Sequence, residues 1–362
     1  MPGLHVSQRP EASLNNHRGR GRSVHITMCI AIITTAHPRY PFILLNNRDE
    51  YLHRPTAPAQ WWAEPDSHVL GGYDLHRPVH GTWLGITRQG RIAVLTNFRE
   101  DDAAAVIQDE RSRGAIPIAW LKTPPASDET TADFAQRLVD EGTLKHVGGF
   151  SMLYGRLQDV VKKQQRDPAA TTNGNGPSHD KGGLAVVSNR TPDVKGLIWL
   201  AGEPGATHAL SNSHYGDKSW PKIVQGEAGL RAAVDADAAG DEPQDALLER
   251  LFAVLSADTM PRQRNGEEWE TYLGQLRNSI FIPGIGHDAE MTQKPADAVA
   301  AATGVEAVSA TSGIYGTQKQ TVILVDREGK VTFVERTLYD EEGKPVKGGE
   351  EDRRFDFQIE GW

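Results

Sequence analysis

Apolar residues in this chain come in short aliphatic or β-branched runs divided by turn residues. "CIAIITTA" and "FILLNN" flank "HPRYP", whose two prolines suit a turn, so the spacing predicts an antiparallel pair of strands beginning at Cys29 and Phe42. "GTWLGIT" and "RIAVLTN" repeat the arrangement across Gln89 and Gly90, and the second of these strands ends at Asn97. Helical spacing follows at 115–121 and 131–139, the latter with Ser127 and Asp128 as expected caps. "GGFSMLYGRL" and "GLAVVSNR" return to strand character, "PQDALLERLFAVLS" and "EEWETYLGQLR" to helical spacing. "TVILVDREGKVTFVERTLY" then predicts a last hairpin turning at 327–329. Strands first, helices in the middle and strands last predict an α+β fold: two antiparallel sheets flanked by helices.

Composition narrows the classes of function. The 362 residues are 38% hydrophobic, with 36 glycines besides, which is enough for a sizeable core. A net charge of -9 offers no footprint for a phosphate backbone, so nucleic acid is not an expected partner. One cysteine excludes an intramolecular disulfide framework and any multi-cysteine metal centre. No apolar run reaches the length of a transmembrane helix, and the expected form is a soluble protein with peripheral membrane association left open. Residues 1–27 carry four arginines, three histidines and a single acid, without an apolar signal core, and read as a disordered or non-native extension. The main domain is expected over 28–339, with a polar, Gly/Asn-rich flexible insertion at about 158–182 and a charged tail over 340–362.

The usual hydrolase and nucleotide signatures are missing: no G-x-S-x-G, no P-loop, no H-E-x-x-H, no G-x-G-x-x-G after a strand. What stands out is the lone Cys29 directly after Met28. If the chain starts at Met28 and that methionine is removed, Cys29 carries both a thiol and a free α-amine. The amine titrates near ~7.7–8.0 and the thiol near ~8.5, so a nucleophile and its base then share one residue. Such a design needs a cation near the thiol, an anion for the ammonium and donors for an oxyanion. Arg48 and Asp49 end the partner strand and could supply the first two; Asn97 and Asn212, the latter in "HALSNSHYG", could supply the amides. Each has a plainer reading: a small buried hydrophobe, a structural ion pair, turn-forming asparagines.

The segments "MCIAII", "FILLNNRDEYLHRPTAPAQWW", "GTWLGIT", "VLTNFR", "LSNS" followed by "WPK", and "YGTQKQTVILVD" resemble the transport and Golgi organisation protein 2 family, also called the NRDE family. The likeness spans essentially Met28 to Tyr339. It implies a four-layer αββα sandwich, similar in fold to the N-terminal nucleophile (Ntn) hydrolases. In cysteine members of that superfamily, such as bile-salt hydrolases and penicillin acylases, the matching roles fall on Cys29, Arg48, Asp49, Asn97 and Asn212. Relatives often place an arginine near "YGTQ"; this chain has Gln318, which removes a second fixed positive charge. The resemblance also implies roles in Golgi organisation, protein secretion, and mitochondrial lipid or haem handling, in a cytoplasmic protein with Golgi or mitochondrial association open to it. Two classes of function follow. One is a cysteine amidohydrolase or acyltransferase acting on a small-molecule acyl compound. The other is a carrier or chaperone holding an acyl lipid or haem in the same pocket, with haem as cargo and no resident cofactor or metal. Haem attachment has no C-x-x-C-H here, and Pro78 between His76 and His80 argues against one helical face.

Overall fold

A computed structural model describes residues 28–76, 78–98, 112–165, 182–240, 242–262, 264, 269–286, 313–340 and 343–362. The expected extension over 1–27 lies outside the described residues.

Strand β1 (Ile30–Thr34) and strand β2 (Phe42–Tyr51) pair antiparallel, with Ile30 opposite Asn47 and Thr34 opposite Ile43. β3 (Thr56–Trp61), β4 (Val69–Asp74), β5 (Leu84–Thr87) and β6 (Arg91–Asn97) follow. After α1 (Ala115–Leu121) and α2 (Thr131–Asp140) come β7 (Phe150–Arg156), α3 (Leu157–Gln164), β8 (Leu184–Ser188), β9 (Ile198–Leu200) and β10 (Thr207–Leu210). The chain continues through α4 (Pro221–Gly240) and α5 (Gln244–Leu255) to β11 (Tyr315–Val325), β12 (Lys330–Thr337) and β13 (Arg353–Gln358). The strands form two sheets, one ordered β10-β1-β2-β11-β12-β13 and the other β3-β4-β5-β6-β7-β8-β9, with antiparallel neighbours throughout.

Because side chains alternate along a strand, each sheet presents one face to the other sheet and one to helices. Ala31, Ile33, Phe42 and Leu44 pack against Leu84, Ile86, Ile92 and Val94 between the sheets. Their neighbours Ile30, Ile32, Ile43 and Leu45 pack against Leu230, Val234, Leu251 and Phe252 of α4 and α5. On the far side, Ala93, Leu95 and Met152 meet Trp120 and Phe134 of α1 and α2. The result is the four-layer αββα sandwich. Among the described residues no helix is long and apolar enough to cross a membrane.

Several expectations are corrected. α2 is capped by Thr130, not Ser127 or Asp128: its hydroxyl accepts from Asp133 N–H while the Asp133 carboxylate accepts from Thr130 N–H. Where "EEWETYLGQLR" has helical spacing, its described residues lie in a 3₁₀ helix over Trp269–Asn278 instead of an α-helix. Of the flexible insertion expected at about 158–182, residues 158–164 belong instead to α3, whose Leu157 and Val160 join the inter-sheet core, and residues 166–181 lie outside the described residues. Part of the charged tail expected over 340–362 is regular structure. It forms β13, because Phe355 and Phe357 alternate onto the core edge against Phe333 and Trp61, while Arg354 pairs outward with Asp245 and Asp356.

Candidate functional site

Cys29 stands one residue before β1, level with Arg48 if the register Ile30–Asn47 and Ala31–Asn46 is continued. Alternation along β2 puts Arg48 on the inter-sheet side with Phe42 and Leu44 and Asp49 on the helix side with Ile43 and Leu45, while Cys29, just outside β1, is acted on by both. The two therefore reach Cys29 from opposite faces of β2.

On the inter-sheet side, Arg48 is buried, its Cζ 4.6 Å from the Trp83 ring and its Nη1 donating to Gln318 Oε1. Gln318 is held in turn through its Nε2, which donates to Leu52 O at 3.2 Å. Where an arginine would repel Arg48, the amide oxygen accepts from it. Glu50 Oε2 lies 3.8 Å from Arg48 and 3.7 Å from Arg54, and burial raises its carboxyl against the pull of both.

On the helix side, Asp49 is fully buried; Thr317 Oγ1 donates to its Oδ1 at 2.7 Å, and its Oδ2 has no hydrogen-bond partner among the described residues. Lys222, at the start of α4, is fully buried too, and its Nζ donates to Met28 O at 2.9 Å. Burial pushes the Asp49 carboxyl up to about 7, opposed by Lys222, the Thr317 hydroxyl and Arg48. Burial likewise holds the Lys222 ammonium below its ordinary value, against Asp49 and Cys29. Tyr315 closes this side: burial raises its hydroxyl well above a free tyrosine, with Asp49 adding to the rise and a hydrogen bond from the Met28 main chain opposing it. Met28 packs against Tyr51, Tyr315 and Ile282.

With Met28 attached, the thiol is not activated. Burial pushes Cys29 up to about 12, the Asp49 carboxylate adds to the rise, and the Asp49 N–H and Arg48 only partly offset it. Its main chain is fixed by Ser211, whose hydroxyl donates to Cys29 O at 2.8 Å. Ser211 Oγ also lies 3.2 Å from Asn212 Oδ1, and Asn212 Nδ2 donates to Asn97 O. The two asparagines are thus brought together beside Cys29, but through the Asn97 main chain; the Asn97 side-chain oxygen is buried without a partner.

The five residues expected from the sequence therefore meet around one strand end. Lys222, Thr317 and Tyr315 were missed as site residues, although all three fall in the segments "WPK" and "YGTQ". The signal for Lys222 was a lysine directly after the proline that opens a helix, where a cation opposes the helix dipole. Among the described residues no group of three or more His, Cys, Asp or Glu side chains is placed to hold a metal ion.

Comparison with known proteins shows what surrounds this geometry. Residues 28–340 match the profile of the family described as Transport and Golgi organisation 2. An uncharacterised protein of Saccharomyces cerevisiae is 27% identical over 92% of this chain and 100% of its own length. The Transport and Golgi organization protein 2 homolog of Bos taurus is 29% identical over 83% of this chain and 87% of its own, and the Homo sapiens homolog 27% identical over 84% and 88%. Among solved structures, a mutant conjugated bile acid hydrolase from Clostridium perfringens aligns over 89% of this chain and 96% of that one, at 11% identity and a TM-score of 0.26. The match over 28–340 covers most of the sequence, and the chain belongs to the Transport and Golgi organisation 2 family.

Proposed function

We propose that the Cys29 end of the sandwich is a latent thiol-nucleophile site, a cysteine amidohydrolase or acyltransferase that becomes competent when the peptide bond before Cys29 is removed. The observation that supports this reading is the set of charges gathered at Cys29: a guanidinium from one face of β2, and from the other a half-unpartnered carboxylate with a buried ammonium that donates to Met28 O. With a free α-amine, Asp49 has an ammonium to accept from and Arg48 favours the thiolate. The amine takes the thiol proton as Sγ attacks the carbonyl carbon of an acyl substrate. It then returns that proton to the departing amine or thiol, leaving a thioester on Cys29 that water or an acceptor resolves. Asn212 Nδ2 and main-chain N–H groups at the strand end are the oxyanion donors in this reading.

In the uncut chain the raised, buried thiol favours the second reading, a carrier that holds an acyl lipid or haem without reacting. The family's named roles in transport and Golgi organisation are compatible with either. Intact mass after incubation of a chain beginning at Cys29 with an acyl thioester separates them. A stoichiometric acyl adduct that disappears in Cys29→Ala supports the nucleophile; saturable, reversible binding with no adduct supports the carrier.

A further inference from the structure

Away from Cys29, the opposite end of the seven-stranded sheet holds an arrangement that the site above does not use. Arg91 opens β6 and Arg156 closes β7, and they are direct cross-strand partners. Like charges opposed in a ladder are destabilising, so the pair needs compensation. Part of that compensation comes from the Glu129 and Asp159 carboxylates, which act on Arg91, and part from main-chain oxygens. Arg91 Nη2 donates to the main-chain oxygens of Ser127 and Glu129 at 3.2 and 3.0 Å, and Arg156 Nη2 to Glu129 O at 2.5 Å. The Glu129 carboxylate itself is engaged by Arg137 at 2.9 Å and Thr123 at 3.2 Å.

Beside the pair is a cavity of about 220 Å³, lined by Arg91, Arg156, Gln158, Asp159, Lys162 and Glu360 among others. Arg91 is only 4% exposed, stacked with its Cζ 4.3 Å from the Trp120 ring, and its Nη1 has no hydrogen-bond partner among the described residues. Burial, and then the neighbouring Arg156, draw its guanidinium down to about 10 against the pull of Glu129 and Asp159. α3 starts at the same place with no side-chain N-cap, because Arg156 occupies that position, and it directs 158, 159 and 162 to one face. Of the two carboxylates in the lining, Glu360 already accepts from Gln89 Nε2 at 2.7 Å. Three cations thus stand against two carboxylates in a chain that is acidic as a whole.

We infer that this cavity is a binding site for a phosphate group, carried by inorganic phosphate, a small phosphate monoester or a lipid headgroup. Two guanidinium forks, a lysine point charge and a helix start are the donor set that suits a tetrahedral oxyanion, which would lie between the opposed arginines and relieve their repulsion. The volume is below that of a drug-sized site, so the group enters with little else attached. β6 separates this end from Asn97 by about 20 Å, which makes the site distinct from the one at Cys29.

The test is the rise in melting temperature of the full chain with inorganic phosphate, minus the rise with sodium chloride at equal ionic strength, each variant compared with itself. The expected result is a saturable phosphate-specific rise. It should weaken in apparent affinity by about tenfold or more in Arg156→Gln and in Lys162→Ala. Lys162, on the surface of α3, keeps the test available if Arg156→Gln does not fold. A rise no larger than with chloride, or one unchanged in Lys162→Ala, overturns the inference. Glycerol 3-phosphate and phosphatidic acid vesicles form the second arm. Vesicle sedimentation lost in Lys162→Ala assigns the phosphate to a lipid headgroup, and competition by glycerol 3-phosphate alone assigns it to a soluble ester.

Discussion

The two faces of β2 carry the same kinds of residue and do different things with them. Toward the other sheet, Arg48 is tied to Gln318, stacked on Trp83 and close to Glu50, so its charge is positioned on every side. Toward the helices, Asp49 has one oxygen on Thr317 and the other on nothing among the described residues, and Lys222 reaches past it to a main-chain oxygen. One face is finished and the other is waiting for a partner. A pleat that alternates side chains is a cheap way to hold a cation and an anion three or four ångströms apart along the chain without letting them neutralise each other.

Disturbing the unfinished face should cost most. Lys222→Met keeps the volume but removes the cation that acts most strongly on Asp49. The expected loss is about 3 kcal/mol at pH 8, read from the urea midpoint, because removing one member of a buried charged set strands the other. An unchanged midpoint would show that Lys222 does not support Asp49.

Asp49 itself sets a pH dependence. Its folded-state value of about 7 lies above the unfolded ~3.9, so between the two the folded chain binds more protons. Its contribution to stability is therefore present at low pH and declines as pH rises from about 4 to about 7, with a slope of at most about 1.4 kcal/mol per pH unit. Asp49→Asn should flatten that part of the stability curve. A slope that persists in the variant would mean that Glu50, also raised by burial, is the group responsible.

The finished face should show the smallest effect and the sharpest specificity. Arg48→Lys retains the charge but loses the fork on Gln318 and the stacked plane on Trp83, an expected cost of about 1–2 kcal/mol. It should also leave the Cys29 thiol still harder to ionise. Equal stability and equal thiol reactivity in Arg48→Lys would remove the distinction drawn between the two faces.

The sheet core was largely legible because its strands are runs of Ile, Leu and Val bounded by Pro, Gly and Asn: β1, β2, β5, β6, β11 and β12 all lie in segments that the pattern marks. α4 was not, although at 20 residues it is the longest helix among the described residues. Its sequence "KIVQGEAGLRAAVDADAAG" packs partly through small residues, so its apolar stripe is faint; a Cβ on Gly226 would lie 2.7 Å from Ile32 Cδ1, which is how closely the helix approaches β1. β3 was obscured by Pro58, tolerated because β3 is an edge strand with its register shifted between Ala57 and Gln60. At the site, the residue types and strand ends could be read, but their faces could not, since alternation assigns a side only once the register between β1 and β2 is known. The Arg91–Arg156 pairing was invisible for the same reason: the two residues lie 65 positions apart and meet only in the ladder.

The central claim is that the environment of Cys29 is built for a free amine and suppresses the thiol until one exists. The most direct test is the pH dependence of iodoacetamide alkylation of Cys29 in two forms, the full chain and a chain beginning at Cys29. The midpoint is the quantity compared, because added exposure alone changes the amplitude and not the midpoint. In the full chain the thiol, raised to about 12, should react appreciably only above pH ~10. In the chain beginning at Cys29 the midpoint should fall by several units, to ~8 or below. The same midpoint in both forms, or a thiol that reacts only after denaturation, would contradict the claim and leave Cys29 as a packed core residue.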